Sequence, residues 1–412
     1  MKVGFGTYRI SSRSKEHKEA LKYAIESGCS FIDTSANYTD GESERLIGEV
    51  LEEISTDVTV ITKAGYIQGE NISRFLKLKE KHPEIEYVDH HEALKHSIDP
   101  LFLEDQITLS KKRLGIETLD SVLLHNPEYF LKNNPKDHDK YYERIKKAFK
   151  FLNDQVLNGS IKSFGVSCNT LVESEDHEEY TDLLKLWKAA EEAGATENFK
   201  YLQFPLNLVE MGAVRPRFDN LNLIQKAQSL GLITIGNRPL NAFTSSGLLR
   251  LAESEIDEEV IANSNKVYES AMENLNSKWA LVRESEDDHL EELPLVNQIS
   301  EIWDKQISKD AVEQIFYGHF FPLIAKIYGK DLTPEESSPY YDLFETAVEN
   351  AKKNMNLRAR SFMEQAEKAG LVNPSENTTA IRALEKYQET GIDIVLVGMR
   401  QKQYVKTLKA FF

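Results

Sequence analysis

The sequence predicts an α/β protein: a (β/α)8 TIM barrel with a large helical insertion before its last strand. Three observations carry that prediction. Short apolar runs alternate with amphipathic helical patterns, the grammar of a parallel sheet with helical crossovers. Eight such runs occur, which suits a closed barrel better than an open sheet. The chain has 412 residues; a barrel of this kind takes roughly 250, which leaves about 160 for insertions.

The eight runs are Val3–Gly6, Ser30–Ile32, Val58–Thr62, Ser121–Leu124, Ser163–Val166, Tyr201–Phe204, Leu232–Ile235 and Ile394–Val397. Between the first two, Lys15–Ser27 places Leu21, Ala24 and Ile25 on one face and stops at Gly28. Ser43–Glu53 groups Leu46, Ile47, Val50 and Leu51 behind Ser43 as the expected N-cap. Later helices are expected to end at Gly115, Gly159, Gly194, Gly231 and Gly391, where a glycine takes the left-handed conformation that closes a helix. Two stretches break this grammar. From Gly65 to about Pro100 the chain is polar, with Pro83 and the His90-His91 pair, and is expected to form an extended loop with short helices. From Ala242 to about Asn373 it is helical in composition, with no glycine between Gly247 and Gly318. The expected organisation is therefore residues 1–241 for strands one to seven, 242–373 for the helical insertion, and 374–412 for the last helix and strand.

Charge and cysteine content narrow the function classes. Fifty Lys and Arg against 67 Asp and Glu give a net charge of −17, which argues against nucleic acid and anionic membrane surfaces while leaving room for a local basic pocket. Cys29 and Cys168 lie far apart and lack ligand spacing, so a disulfide framework is excluded and a reducing, cytoplasmic location is expected. No apolar run approaches the ~18–20 residues of a membrane span, and the N-terminus lacks the apolar stretch of a signal peptide. No metal set is expected, since Asp89, His90 and His91 lack ligand spacing.

In such barrels chemistry sits at the C-terminal ends of the strands. The second run continues into Asp33-Thr34-Ser35-Ala36-Asn37-Tyr38, the third into Lys63, and the fourth into His125-Asn126-Pro127. An Asp, a Lys and a His thus emerge on one rim with a Tyr nearby. A tyrosine of ordinary pKa, about 10, is a poor proton donor at neutral pH unless its phenolate is stabilised. Lys63 beside Tyr38 is expected to lower that pKa, Asp33 to keep Lys63 charged, and His125 to orient a substrate carbonyl by donating a hydrogen bond. Hydride would then come from a nicotinamide, because no protein side chain supplies one. No Gly-rich dinucleotide fingerprint is present, so cofactor binding must come from the barrel loops.

The segment Phe31–Tyr38 followed by Gly41-Glu42-Ser43-Glu44-Arg45-Leu46-Ile47-Gly48 resembles the signature of the aldo-keto reductase superfamily, and Lys63 and His125 fall where that family keeps the rest of its Asp-Tyr-Lys-His tetrad. The resemblance implies Asp33, Tyr38, Lys63 and His125 as the catalytic set. It also implies NADP as cofactor, with NAD as the alternative, and a small-molecule carbonyl or alcohol as substrate. Gly165–Asn169 is similar to the family's fifth-strand motif, which implies Ser167 and Asn169 on the nicotinamide carboxamide, with Gln203 from the sixth strand. The segment Asn237-Arg238-Pro239-Leu240 resembles the seventh-strand loop that wraps the pyrophosphate. Gly398 and Arg400 resemble the eighth-strand end near the adenosine ribose, with Arg400 implied as the partner of a 2′-phosphate.

Several positions depart from that pattern. Asn237 stands where many relatives stack an aromatic on the nicotinamide, and Asn126 where some carry an aromatic pocket wall, which implies a more polar substrate. The chain starts almost at its first strand, so an N-terminal hairpin is expected to be short or missing. Two alternatives stay open: an NAD-dependent sugar or polyol dehydrogenase, and a cofactor-binding regulatory or scaffold barrel with little turnover. Under the last, a protein partner or self-association would involve the helical insertion.

Overall fold

Eight parallel strands close into a barrel in simple sequential order, each strand pairing with its chain neighbour and the last with the first. They are β1 Lys2–Gly6, β2 Phe31–Asp33, β3 Thr59–Ala64, β4 Ser121–His125, β5 Phe164–Ser167, β6 Phe199–Pro205, β7 Ile233–Asn237 and β8 Ile394–Val397. This computed structural model describes residues 1–244, 247–285, 299, 303–305 and 308–412. All eight expected strands are present. Several run one or two residues past their apolar runs, so Asp33, His125, Ser167 and Asn237 close their strands and Lys63 is the last residue but one of its own, rather than lying in the loops after them.

Alternation along these strands explains how the site is built. Phe31, Ile61, Leu123, Ile235, Ile394 and Leu396 fill the barrel interior, with Tyr201 and Ile233 packed against them. Successive strand residues face opposite sides, so the residue two beyond an interior one faces inward again. Phe31 is followed in this way by Asp33, Ile61 by Lys63, Leu123 by His125, Tyr201 by Gln203 and Ile235 by Asn237. On β5 the interior position is Gly165, where an added Cβ would lie 2.3 Å from the Tyr201 carbonyl oxygen. Register completes the layer: His125 pairs with Ser167 and Ser167 with Gln203 on adjoining strands. A polar storey thus sits directly on the apolar one.

Helices α1 Lys15–Glu26, α2 Glu42–Glu53, α3 Pro100–Leu114, α4 His138–Leu157, α5 Leu183–Glu192, α6 Leu223–Ser229, α7 Thr379–Glu389 and α8 Lys402–Leu408 follow the strands in turn. The start of α2 differs from expectation. Gly41, at φ 84°, is its N-cap, and Ser43 lies inside the helix, fully buried. Two hydroxyls draw Ser43 inward: Thr34 Oγ1 at 2.9 Å and Thr7 Oγ1 at 2.8 Å. The stretch 66–100 is also more ordered than expected. It holds a 12-residue helix, Glu70–Lys81, and a three-stranded antiparallel sheet of Tyr66–Ile67, Leu94–His96 and Val88–His91.

The chain divides into two compact units, Met1–Ala242 with Ala383–Phe412, and Phe243–Arg382. The second is built mainly on helices Ser264–Ser285 and Pro334–Lys368, whose Ala271, Leu275, Leu343 and Ala347 share one core cluster with Phe316 and Phe320 of the short segment Phe316–Phe320. A two-stranded sheet of Asn241–Thr244 and Gly247–Arg250 occupies part of the stretch read as helical. Among the described residues, no helix is long and apolar enough to cross a membrane.

Candidate active site

Lys63 is the centre of the polar storey. Its ammonium is fully buried and donates to Asp33 Oδ2 at 2.7 Å, to the Thr34 carbonyl at 2.8 Å and to the Tyr38 hydroxyl at 3.4 Å. The other Asp33 oxygen accepts from Gln203 Nε2 at 2.7 Å. Gln203 Oε1 in turn accepts from Ser167 Oγ at 2.8 Å and from Asn237 Nδ2 at 3.4 Å. One hydrogen-bonded path therefore runs from the Tyr38 hydroxyl to Ser167 and Asn237. Burial pushes the Asp33 carboxyl up and the Lys63 ammonium down, and each opposes the other's shift through its charge.

Tyr38 corrects an expectation. Desolvation by the crowded pocket, with the negative charge of Asp33, pushes its hydroxyl well above the ordinary value. Lys63, at 3.4 Å, does not reverse this. The group is a protonated phenol at neutral pH.

His125 lies across from Tyr38, ring centroids 5.9 Å apart. Its imidazole is pushed well below its ordinary value by burial, with the charge of Lys63 adding to the effect, and is therefore neutral. Nδ1 lies 3.0 Å from Ser35 Oγ. The His125 carbonyl accepts from His96 Nε2 at 2.7 Å. His96 is buried and held down at about 3, so it too is neutral. Tyr8, Tyr66 and Tyr129 border this group. Tyr8 stands edge-on to Tyr38 at 5.1 Å, and Tyr66 meets the His125 ring at 4.8 Å and Tyr129 at 5.0 Å. Asn126 donates to the Tyr66 hydroxyl at 2.7 Å from a left-handed backbone, φ 51°.

The remaining residues named from the sequence lie around this centre. The Asn169 backbone N–H donates to Glu128 Oε1 at 2.9 Å. Arg238, with φ 54°, pairs with Glu210 at 2.9 Å. The Pro239 carbonyl accepts from the Tyr387 hydroxyl at 2.7 Å, and Leu240 is buried beside it. Gly398 is exposed at the end of β8, and the Arg400 charge is close enough to His17 to help lower its pKa. Non-glycine residues in left-handed backbone immediately after β4 and β7 mark the rim as a place where strain is accepted for geometry.

Sequence reasoning missed Ser35, Glu128, His96 and Tyr129. Glu128 is buried, and burial pushes its carboxyl up to about 7. Its Oε2 has no partner among the described residues. Ser35 and Glu128 follow Asp33 and His125 by two and three positions, an offset that was the available signal.

The polar corner of Ser167, Gln203 and Asn237 is suited to a primary amide. Asn237 Oδ1 is buried and unpartnered among the described residues, an acceptor aimed at nothing within the protein. A carboxamide N–H₂ matches that need, so the residues fit a nicotinamide amide.

The model of the Aldo/keto reductase family matches residues 2–295. An aldo-keto reductase of Schizosaccharomyces pombe, named for NADP(+), is 28% identical over 130 residues, covering 30% of this chain and 33% of its own. A protein from the same yeast named a putative voltage-gated potassium channel subunit beta is 26% identical over 129 residues, covering 30% and 32%. These matches span about a third of the length of either relative. Among solved structures, a glycerol dehydrogenase from Gluconobacter oxydans covers 100% of this chain and 86% of its own at 16% identity and a TM-score of 0.50, a likeness of fold alone.

Proposed function

The chain belongs to the aldo/keto reductase family, and from that premise we propose that it transfers a hydride between NADP(H) and a small-molecule carbonyl or the matching alcohol. The observation that carries this reading is the continuous path from the Tyr38 hydroxyl through Lys63, Asp33 and Gln203 to Ser167 and Asn237. It joins a proton donor to an amide-binding corner through one buried ion pair. A nicotinamide held at that corner supplies or takes up the hydride. Ser167, Gln203, Asn237 and Asn169 hold the carboxamide, the loop Arg238–Leu240 faces the pyrophosphate, and Gly398 and Arg400 take the ribose end. NADP is favoured over NAD because Arg400, three residues past the end of β8, offers a cation for a 2′-phosphate.

In reduction, Tyr38 gives its proton to the carbonyl oxygen as hydride reaches the carbon. Lys63 donates to the phenolate oxygen left behind, and Asp33 holds Lys63 charged and aimed. The hydroxyl keeps its proton at neutral pH, and Lys63, 3.4 Å from its oxygen, offsets the negative charge that builds there as the proton leaves. The test is fluorescence titration with NADPH and NADH, followed by a carbonyl panel in the presence of the tighter cofactor. NADPH binding with carbonyl-dependent oxidation supports the reading. Tight binding with no turnover on any carbonyl or alcohol moves the weight to a regulatory barrel, and no binding of either cofactor sinks it.

A further inference from the structure

A buried ion pair behind the barrel rim touches both segments that carry the Tyr38–Lys63 contact. Glu44 of α2 and Arg113 of α3 meet at 3.1 Å, with side chains 0% and 8% exposed. Glu44 Oε1 accepts from Thr62 Oγ1 at 2.6 Å, and Thr62 is the residue before Lys63 on β3. Arg113 Nη1 has two N–H bonds to give. One goes to Glu44 Oε2 and the other to the Ala36 carbonyl, two residues before Tyr38, both at 3.1 Å. The Ala36 N–H donates in turn to the Lys63 carbonyl at 3.0 Å, so Ala36 is fixed between the β3 backbone and the guanidinium. Beyond Tyr38 the backbone is left-handed at Thr39, Asp40 and Gly41, with φ of 48°, 55° and 84°. Such a run persists only where surrounding contacts over-determine it. Gly41 supplies part of that fit: a Cβ there would lie 2.4 Å from Arg113 Cζ and 2.5 Å from its Nε. The turn that carries Tyr38 is thus set against Arg113 on both sides.

We propose that Arg113, aimed by Glu44, is a positioning residue that sets the Tyr38 hydroxyl against Lys63 from outside the barrel. The proposal rests on the hydride-transfer reading, in which Tyr38 passes a proton, and adds what holds Tyr38 in place to do so. Asp33, Lys63 and His125 stand on strands that the barrel's own hydrogen bonds fix, whereas Tyr38 stands on the turn after β2 and needs another anchor. Its bond from Lys63 is 3.4 Å, the longest of the three that Lys63 donates and close to the outer limit of a hydrogen bond. A small displacement of the turn breaks that bond and leaves the Lys63–Asp33 pair, at 2.7 Å, intact. Arg113 itself touches neither substrate nor cofactor and takes no part in the proton transfer. Its loss is therefore felt in the chemical step and not in the affinity for NADPH.

The test is a double-mutant cycle between Arg113→Met and Tyr38→Phe, read by single turnovers of the full chain. Enzyme loaded with NADPH is mixed rapidly with a carbonyl that wild type reduces. The amplitude counts competent sites, and the rate constant reports the chemistry within each. Expected for Arg113→Met are an unchanged amplitude, an NADPH affinity within about twofold of wild type, and a rate constant about 10- to 100-fold lower, the scale of a catalytic group misplaced by up to 1 Å. In the Tyr38→Phe background the same substitution is expected to leave the rate constant nearly unmoved, because the group through which Arg113 acts is gone. Arg113→Lys, whose ammonium keeps the charge and can donate to both acceptors, is expected to recover most of the rate. A lost amplitude with an intact rate constant assigns Arg113 to stability alone and overturns the proposal, as does an equal loss of rate in both backgrounds. Should Arg113→Met not fold, Glu44→Gln carries the same prediction, since it frees Arg113 from its partner and leaves Thr62 an acceptor. A wild type that oxidises NADPH with no carbonyl sinks the reductase reading, and a crystal structure of the folded variant then decides the positioning. A Tyr38 hydroxyl moved out of hydrogen-bond reach of Lys63 supports it, and one still 3.4 Å away overturns it.

Discussion

Replacing Lys63 by Met removes the buried cation and keeps most of the side-chain volume. The loss is of three donated hydrogen bonds, at 2.7, 2.8 and 3.4 Å, and of the cation paired with Asp33. At 2.7 Å, an effective dielectric of about 20 gives an attraction of roughly 6 kcal/mol, most of it spent against the desolvation of both ions. What remains after the substitution is a buried carboxylate with Gln203 as its one side-chain donor. Removing one partner of a buried pair costs about 3–5 kcal/mol, so Lys63→Met is expected to lose that much in urea unfolding followed by far-ultraviolet circular dichroism. The deficit has a pH signature. Without Lys63, the folded-state pKa of Asp33 rises further above its unfolded value, so the native state binds the extra proton and the variant regains stability as pH falls toward 5. Adding Asp33→Asn, which removes the orphaned charge, is expected to recover most of the loss at pH 8. A deficit under about 1 kcal/mol, or a double variant no more stable than Lys63→Met, would refute the view of the pair as a buried, mutually dependent unit.

Three further outcomes follow from the same geometry. Glu128, raised to about 7 from 4.5, keeps its proton in the native state after the unfolded chain has released it. Its contribution is fully present below pH 4.5 and is lost as pH rises to about 7, with a slope of at most about 1.4 kcal/mol per pH unit. Glu128→Gln is expected to flatten that fall in a comparison of unfolding free energies from pH 5 to 8; a curve parallel to wild type would contradict it. Gly65→Ala would set a Cβ 2.3 Å from the His125 carbonyl oxygen and 2.7 Å from His96 Nε2. It is expected to cost about 1–3 kcal/mol and to lower carbonyl turnover by displacing His125, as read by calorimetry and steady-state rates. Arg400→Glu is expected to weaken NADPH binding about tenfold more than NADH binding, or roughly 1.4 kcal/mol, in paired fluorescence titrations.

The barrel was legible because its strands carry uninterrupted apolar runs, and its rim because alternation fixes what stands two residues beyond each interior position. Phe31 with Asp33, Ile61 with Lys63, and Leu123 with His125 are pairs that a period of two makes visible in one dimension. The sheet after β3 was not legible, because its strands are short and polar: Val88-Asp89-His90-His91 and Leu94-Lys95-His96 present no apolar alternation. Ser43 has the composition of a cap, but its surroundings decide the matter, since the hydroxyls of Thr7 and Thr34, the residues just after β1 and β2, bond it from outside the helix. The direction of the Tyr38 shift was equally hidden. Sequence supplied the cation beside it, whereas the desolvation that outweighs the cation is a property of packing. The offsets of Ser35 and Glu128 from Asp33 and His125 place them near the rim, but their partners, the His125 ring and the Asn169 N–H, are set by packing.

The central claim is that Tyr38 is the proton donor of a hydride-transfer site, and Tyr38→Phe tests it most directly. NADPH affinity by fluorescence titration and single-turnover oxidation of NADPH in the presence of a carbonyl would be measured on wild type and variant together. The account predicts nearly unchanged cofactor affinity and a rate at least 100-fold lower, the usual scale for loss of a general acid. A variant that binds NADPH as wild type does and oxidises it at the wild-type rate would contradict it.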